Sequence, residues 1–384
     1  MKQTPLLVFA DDWGRHPSSC QHLVARLLDR HPATWVNTIG TRTPKLDRAT
    51  MRRGMGKIQG WLRRRPNERE MRSDVTILNP RMWPWFTRKL DRKINRKLLL
   101  KQLRAVIEKM GESPVAVTTL PIVADIMPHL PVRQWVYYCV DDFSQWPGLD
   151  RRTMARMEQL VIERADTIVA VSEPLQERIR RMGRESELLT HGVDLGFWES
   201  DVSTTMLAGL PRPLFVFWGV IDRRMDLAFL KHLAASMTEG TIVLVGPEQD
   251  ADPELHHLPR LVRTGPAPFD QLPAIAREAS VLIMPYADLP VTRAMQPLKL
   301  KEYLATGKPV VVRDLPATRE WSDCLDRTEN PAQFSQIVIE RARSGLPAPQ
   351  ALSRKRLSDE SWDEKARLFE RFLFSQQTNL MGVS

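Results

Sequence analysis

Short apolar runs recur along the chain, and each leads through a polar loop into a stretch with helical spacing. In the first half Pro5–Ala10, Thr34–Ile39, Asp74–Leu78, Val115–Leu120, Gln134–Val140 and Asp166–Ser172 predict strands. In the second half Pro213–Trp218, Ile242–Pro247, Ala279–Pro285 and Pro309–Val312 do the same. Between them lie amphipathic helices. Ser18 or Ser19 can cap Gln21–Arg30, with Leu23, Leu27 and Leu28 on one face. Leu149–Ala165 turns Met154, Met157, Leu160 and Val161 inward, and Ser358 or Asp359 can cap a last helix with Trp362, Ala366, Leu368 and Phe372 inside. Strand, loop, helix, strand is the rhythm of a doubly wound α/β sheet, whose ligands sit beyond the carboxyl ends of the strands. The polar stretch Glu199–Gly209 separates two such runs.

The most informative stretch is Gln296–Val312, QPLKLKEYLATGKPVVV. Pro297 suits the first helical position, where its missing N–H costs nothing. Leu298, Leu300, Tyr303 and Leu304 can face a core while Lys299, Lys301 and Glu302 stay polar. Gly307 fits the position just past the helix, and Pro309 follows it into a short β run. A strand feeding a loop and then a helix start offers free N–H groups and a positive dipole end, a place for a phosphate. Glu302, inside that helix, suits a ribose diol. The plain alternative is one βαβ unit with a solvated Glu302.

Composition narrows the class. The chain has 384 residues, 42% hydrophobic and 27% charged, enough for two domains with real cores. No apolar run approaches a membrane span, and Asp11 and Asp12 break the only short apolar run near the start, so no signal peptide is expected. Cys20, Cys139 and Cys324 lie far apart and predict reduced thiols in the cytoplasm rather than a disulfide frame or a zinc site.

The net charge of +10 is uneven: Arg42 to Arg104 holds 20 Lys/Arg against 5 Asp/Glu. Trp61 lies in this region, and Trp83, Trp85 and Phe86 precede a basic helix with Arg88, Lys89, Arg92, Lys93, Arg96 and Lys97. Leu90, Ile94, Leu98 and Leu100 supply its apolar spacing. Aromatic residues beside Lys and Arg are what an interfacial helix presents to anionic lipid. The expected partner of 42–104 is therefore an anionic membrane surface; a solvated face is the alternative. No nucleic-acid motif accompanies the charge.

Two further places carry candidate chemistry. The loop after the first strand contains Gly14, His16 and Pro17, and His16 is its one group suited to acid–base work near neutral pH; it can equally be a surface histidine. Asp141 and Asp142 end the strand Gln134–Val140, where they can hold an acceptor hydroxyl or act as base, or simply cap and turn the chain.

The literal residues PLKLKEYLATGKPVV closely resemble the nucleotide-sugar signature of retaining glycosyltransferases of family 4. The resemblance is strongest from Phe215 to Val312. It implies an α/β GT-B architecture, two Rossmann-like doubly wound domains facing a central cleft. It implies an acceptor domain 1–198, joined by the C-terminal helix 358–384, and a donor domain 199–357. Glu302 matches the second of the family's two motif glutamates, the ribose binder; the first falls on Ala294. Leu188–Asp194 is similar to the interdomain "NGVD" step with His191 in place of Asn, and Phe197 fits the aromatic after it. In the family an Arg directly after the glycine of the first donor-domain strand, and a Lys further on, hold the diphosphate. Here those positions are Val220 and Met225, which leaves Arg223 and Arg224 as substitutes. The implied donor set is Gly219, Arg223, Arg224, Gly246, Gln296, Pro297, Leu298, Lys299 and Glu302. His16, Asp141 and Asp142 form the implied catalytic set, the aspartates resembling a "YDxxDD" step.

The resemblance implies transfer of a sugar, with retention, from a nucleotide-diphosphate-sugar to a glycan or lipid-linked acceptor. No metal or cofactor is expected. The Pro-Leu-Lys form looks like the branch that builds bacterial cell-surface polysaccharides, teichuronic acid types included. A peripheral protein on the inner face of the cytoplasmic membrane is expected. Alternatives are a catalytically silent sugar-nucleotide-binding scaffold and an epimerase or hydrolase on the same fold.

Overall fold

The computed structural model describes residues 4–14, 18–37, 70–72, 75–146 and 149–381. His16, Trp61 and most of the basic stretch before residue 75 lie outside these. The chain forms two compact units. The first is Met1–Thr190 with Lys365–Ser384, and the second is His191–Glu364.

The first unit is built on eight strands: β1 (Leu6–Ala10), β2 (Ala33–Asn37), β3 (Glu70–Arg72), β4 (Val75–Leu78), β5 (Val115–Thr118), β6 (Gln134–Cys139), β7 (Thr167–Ala170) and β8 (Glu187–Leu188). Their order is β3-β4-β2-β1-β5-β6-β7-β8. All neighbours are parallel except β3, which pairs antiparallel with β4. β1, β5 and β6 are buried along their whole length, because helices cover both faces of a parallel sheet.

The second unit has six parallel strands: β9 (Leu214–Trp218), β10 (Thr241–Val245), β11 (Leu261–Gly265), β12 (Val281–Met284), β13 (Val310–Arg313) and β14 (Asp326–Thr328). Their order, β11-β10-β9-β12-β13-β14, is the Rossmann order. The winding reverses between β9 and β12, and a crevice opens at the carboxyl ends of strands where winding reverses. The core of this unit gathers Phe215, Phe217, Trp218, Leu230, Leu282, Leu300, Tyr303 and Val311.

The units divide at Thr190 and Glu364, not within Glu199–Gly209. Leu207 is buried in the second unit's core, and Val193 exchanges backbone hydrogen bonds with Glu360 and Trp362 at 2.8 and 3.3 Å. The last helix, Trp362–Met381, begins in the second unit and ends in the first. Ser361 caps it by accepting from the Glu364 N–H, where Ser358 or Asp359 was expected. Trp362, Ala366, Phe369 and Leu373 form its buried stripe, while Leu368 and Phe372 flank it half-buried.

The basic helix Lys89–Glu108 departs from its predicted facing. Its buried residues are Asn95, Leu99, Leu103 and Ile107. Leu90 is 66% exposed. The aromatic cluster before it is no free wedge. Phe86 is in the core, and the half-buried Trp83 and Trp85 are held by the buried Asn95 amide, which donates to both their carbonyls at 3.1 and 2.9 Å. A buried amide outranks apolar spacing here because it satisfies backbone groups of the incoming loop. Among the described residues no helix is long and apolar enough to cross a membrane.

Candidate functional site

At the carboxyl end of β9 the chain must pass close to its neighbours. Gly219 has φ +135° and Gly246, after β10, has φ +150°, conformations that favour glycine. A Cβ on Gly246 would lie 1.9 Å from the Gly219 carbonyl oxygen, and one on Gly219 would lie 2.5 Å from Lys299 Nζ. Close approach to backbone as well as φ dictates Gly246, whereas Gly219 is required by φ and leaves room for the Lys299 side chain.

The helix Leu298–Ala305 closes the other side of this strand end. Pro297 is its N-cap residue rather than its first turn, and Gly307 ends it at φ +71°. Leu300, Tyr303 and Leu304 are buried as the periodicity predicts, and Leu298 is half-buried. Lys301, expected on the polar face, is instead 1% exposed. Its ammonium donates to the His191 carbonyl at 2.6 Å and pairs with Glu360, so it fixes the start of this unit to the approach of the last helix. Gly192 is also committed to packing, since a Cβ there would lie 2.8 Å from the Trp362 ring.

Glu302 accepts a hydrogen bond from the Trp218 indole N–H at 3.3 Å. The Trp218 backbone N–H donates to the Tyr303 hydroxyl at 3.0 Å, and the Trp218 ring stacks on Trp198 with centroids 5.4 Å apart. Desolvation pushes the Glu302 carboxyl up to about 7, against the Trp218 hydrogen bond and the charge of Lys299. The carboxylate thus stands fixed at the end of β9, near its midpoint of ionisation at neutral pH. Gln296, just before the helix, is 7% exposed. Its side-chain Nε2 has no hydrogen-bond partner among the described residues.

The cations differ sharply. Lys299 donates to the Tyr286 hydroxyl, and its ammonium lies 4.8 Å from the Phe217 ring centroid and 5.0 Å from that of Tyr286. Arg224 is buried and held by Asp222, with Nε 2.9 and 3.0 Å from the two carboxylate oxygens. Arg223 is turned to solvent, 67% exposed, and paired with Asp250 at 2.9 Å. The structure therefore brings Gly219, Gly246, Lys299 and Glu302 around one strand end and sends Arg223 elsewhere. Trp218 and Tyr286 were missed as wall residues. Their only sequence signal is that each is an aromatic at or just past the end of an apolar run.

In the first unit, Asp142 is buried behind the end of β6. It accepts from the Ser144 N–H and hydroxyl at 3.0 and 2.5 Å and pairs with Arg178 at 3.2 Å. Arg178 also forks the fully buried Glu158 at 2.9 and 2.7 Å, which in turn accepts from Tyr137 at 3.0 Å. Burial raises the Glu158 pKa against the pull of Arg178. This is the turn-forming alternative for Asp142, strengthened by an ion pair. Asp141 stays half-buried at the strand end. The loop after β1 is pinned by Gln21, which accepts from the Gly14 N–H at 3.1 Å and donates to the Asp12 carbonyl at 3.2 Å.

Residues 212–342 match the family "Glycosyl transferases group 1". The chain is 31% identical over 179 residues to TuaH of Bacillus subtilis strain 168, a protein assigned as a teichuronic acid biosynthesis glycosyltransferase. That alignment spans 44% of this chain and 45% of the relative, so somewhat less than half of each is matched. Among solved structures, sucrose-phosphate synthase from Thermosynechococcus elongatus superposes with a TM-score of 0.70 at 15% identity, over 99% of this chain and 100% of that one. HepE from Anabaena, in complex with UDP, gives 0.66 at 14% identity over 97% and 100%. The α,α-trehalose 6-phosphate synthase of Burkholderia multivorans gives 0.66 at 16% over 99% and 98%. At such identities the likeness establishes the fold, which is GT-B.

Proposed function

We propose that this protein, a GT-B chain carrying a glycosyl transferases group 1 domain, is a glycosyltransferase of cell-surface polysaccharide assembly that takes its sugar from a nucleotide diphosphate. The observation that carries the reading is Glu302 beside the Trp218 indole at the β9 end, inside the segment matched by the family, where the winding of the sheet reverses. A fixed carboxylate at that place accepts two hydrogen bonds from a ribose diol. The phosphates then meet the start of the helix Leu298–Ala305. HepE, of the same fold, is described bound to UDP and to UDP-glucose, which supports a nucleotide-sugar donor.

The chemical step breaks the bond between the anomeric carbon and the β-phosphate oxygen, whose electron pair leaves with the phosphate. The acceptor hydroxyl forms the new bond on the same face, giving retention, and its proton goes to the departing phosphate. Negative charge grows on the phosphate, so a preformed positive end is the main catalytic device. The reading needs no metal and no cofactor besides the donor. Asp141, at the end of β6, is the candidate for an acceptor hydroxyl, whereas Asp142 serves the fold. The acceptor is a glycan or lipid-linked glycan, and the basic face of Lys89–Glu108 holds the protein on anionic lipid at the cytoplasmic side of the membrane. TuaH, matched over part of its length, is assigned to teichuronic acid biosynthesis, which supports this reading.

Ala294, at the place of the family's first motif glutamate, favours one other reading, a silent sugar-nucleotide-binding scaffold. Incubation with a panel of nucleotide-sugars and membrane glycolipid separates the two. Release of nucleoside diphosphate, dependent on acceptor and indifferent to a chelator, is expected. Binding without any release would leave the scaffold, and activity lost to the chelator and restored by magnesium would overturn the metal-free step.

A further inference from the structure

We propose that Lys299 supplies the cationic side chain that holds the donor's diphosphate, a task that the neighbouring arginines do not take. The inference rests on the nucleotide-sugar reading and assigns a charge within that site.

A diphosphate needs cations that remain uncommitted until it arrives. Arg224 is buried and chelated by the Asp222 carboxylate, and Arg223 is exposed and paired with Asp250. Val220 and Met225 carry no charge. Among the described residues no ion pair is recorded for Lys299, whose charge is felt at longer range by the Glu302 carboxyl. Its ammonium is held by groups that do not neutralise it, a tyrosine hydroxyl and two aromatic faces.

Its place is also specified. The missing side chain of Gly219 makes room for Lys299 Nζ, 2.5 Å from where a Cβ would stand. That puts the ammonium at the β9 end, in the helix turn that precedes Glu302. Ribose on Glu302 and phosphate on Lys299 are then one turn apart on a single helix. Lys299 joins the helix start as a point charge on the phosphates. The unpartnered amide nitrogen of Gln296, in the approach to the same helix, is a further buried donor there.

The test uses the full chain and calorimetry with UDP, GDP and ADP, alongside saturation-transfer NMR with the matching nucleosides. Wild-type protein should bind at least one diphosphate more tightly than its nucleoside. Lys299→Met should weaken that diphosphate about tenfold to a hundredfold, the worth of one charge-assisted contact, and leave the nucleoside unchanged. Lys299→Arg should recover part of the loss, and Arg223→Met should match wild type. Thermal melts check that the variants fold; should Lys299→Met fail to fold, Tyr286→Phe, which frees the ammonium from its hydroxyl partner, must alter diphosphate affinity alone. Diphosphate affinity unchanged in Lys299→Met, equal loss of nucleoside, or loss in Arg223→Met overturns the assignment to Lys299. No diphosphate bound by wild-type protein overturns the donor reading, and the assignment with it.

Discussion

At the scale of single residues, the role proposed for Glu302 comes with a cost in stability. Its folded-state pKa is raised to about 7 by burial. A carboxyl raised in this way favours the folded chain below the ordinary carboxylate range, and that contribution is lost as pH rises through about 7. On the proposed reading nucleotide binding has the opposite slope, because the ionised carboxylate is the form that accepts from both ribose hydroxyls. Affinity for nucleoside diphosphate should therefore fall as pH drops from about 8 to about 6. Glu302→Gln should flatten that profile, weaken binding throughout, and melt no lower than wild type at the upper pH. Calorimetry across the range with both proteins checks this; identical affinities would remove Glu302 from the site.

At the scale of elements, the buried cluster of Tyr137, Asp142, Glu158 and Arg178 joins β6 to the helices Arg151–Arg164 and Glu173–Arg181. Arg178 stands between two carboxylates, and removing it leaves Glu158 buried with a neutral partner only. Arg178→Ala should cost about 3–5 kcal/mol by chemical denaturation. Asp142→Asn should cost less, because an amide oxygen still accepts from Ser144. Neither change touches the second unit, so nucleotide affinity should stay as in wild type. A loss of affinity in Asp142→Asn at full stability would return this aspartate to the chemistry. Short edge strands such as β8 and β14 leave no mark in the hydrophobic pattern, because an edge needs no apolar run.

At the scale of the whole molecule, the uneven charge is what the proposed membrane contact rests on. The surplus between Arg42 and Arg104 lies in the first unit, and Lys93, Lys97 and Lys101 are exposed along the helix Lys89–Glu108 together with Leu90. Each Lys or Arg near an anionic surface is worth about 1 kcal/mol. Sedimentation with phosphatidylglycerol vesicles should be strong in low salt, fall as salt screens the charge, and be absent with phosphatidylcholine. Reversing Lys93, Lys97 and Lys101 to Glu should abolish most of it. A Trp83/Trp85 change is a poorer probe than the raw sequence suggests, since both backbone segments are tied to Asn95. Equal, negligible sedimentation in every condition would reduce the basic region to a solvated face.

The two α/β runs, the glycines that end strands, and the helix at Leu298 with Glu302 upon it are legible in the residues alone. These follow from local causes: burial on both faces makes unbroken apolar strands, and tight approach leaves only glycine. Tertiary structure alone decided the fate of the charged groups. Nothing in the spacing separates Lys299 from Lys301, yet one faces the β9 end and the other is buried against the His191 carbonyl and Glu360. Nothing marks Arg224 as spent on Asp222 or Arg223 as turned to Asp250. Periodicity records which face of an element is apolar. The partner of a charge is set by chain segments that meet only after folding, and for a charged side chain the partner decides its role.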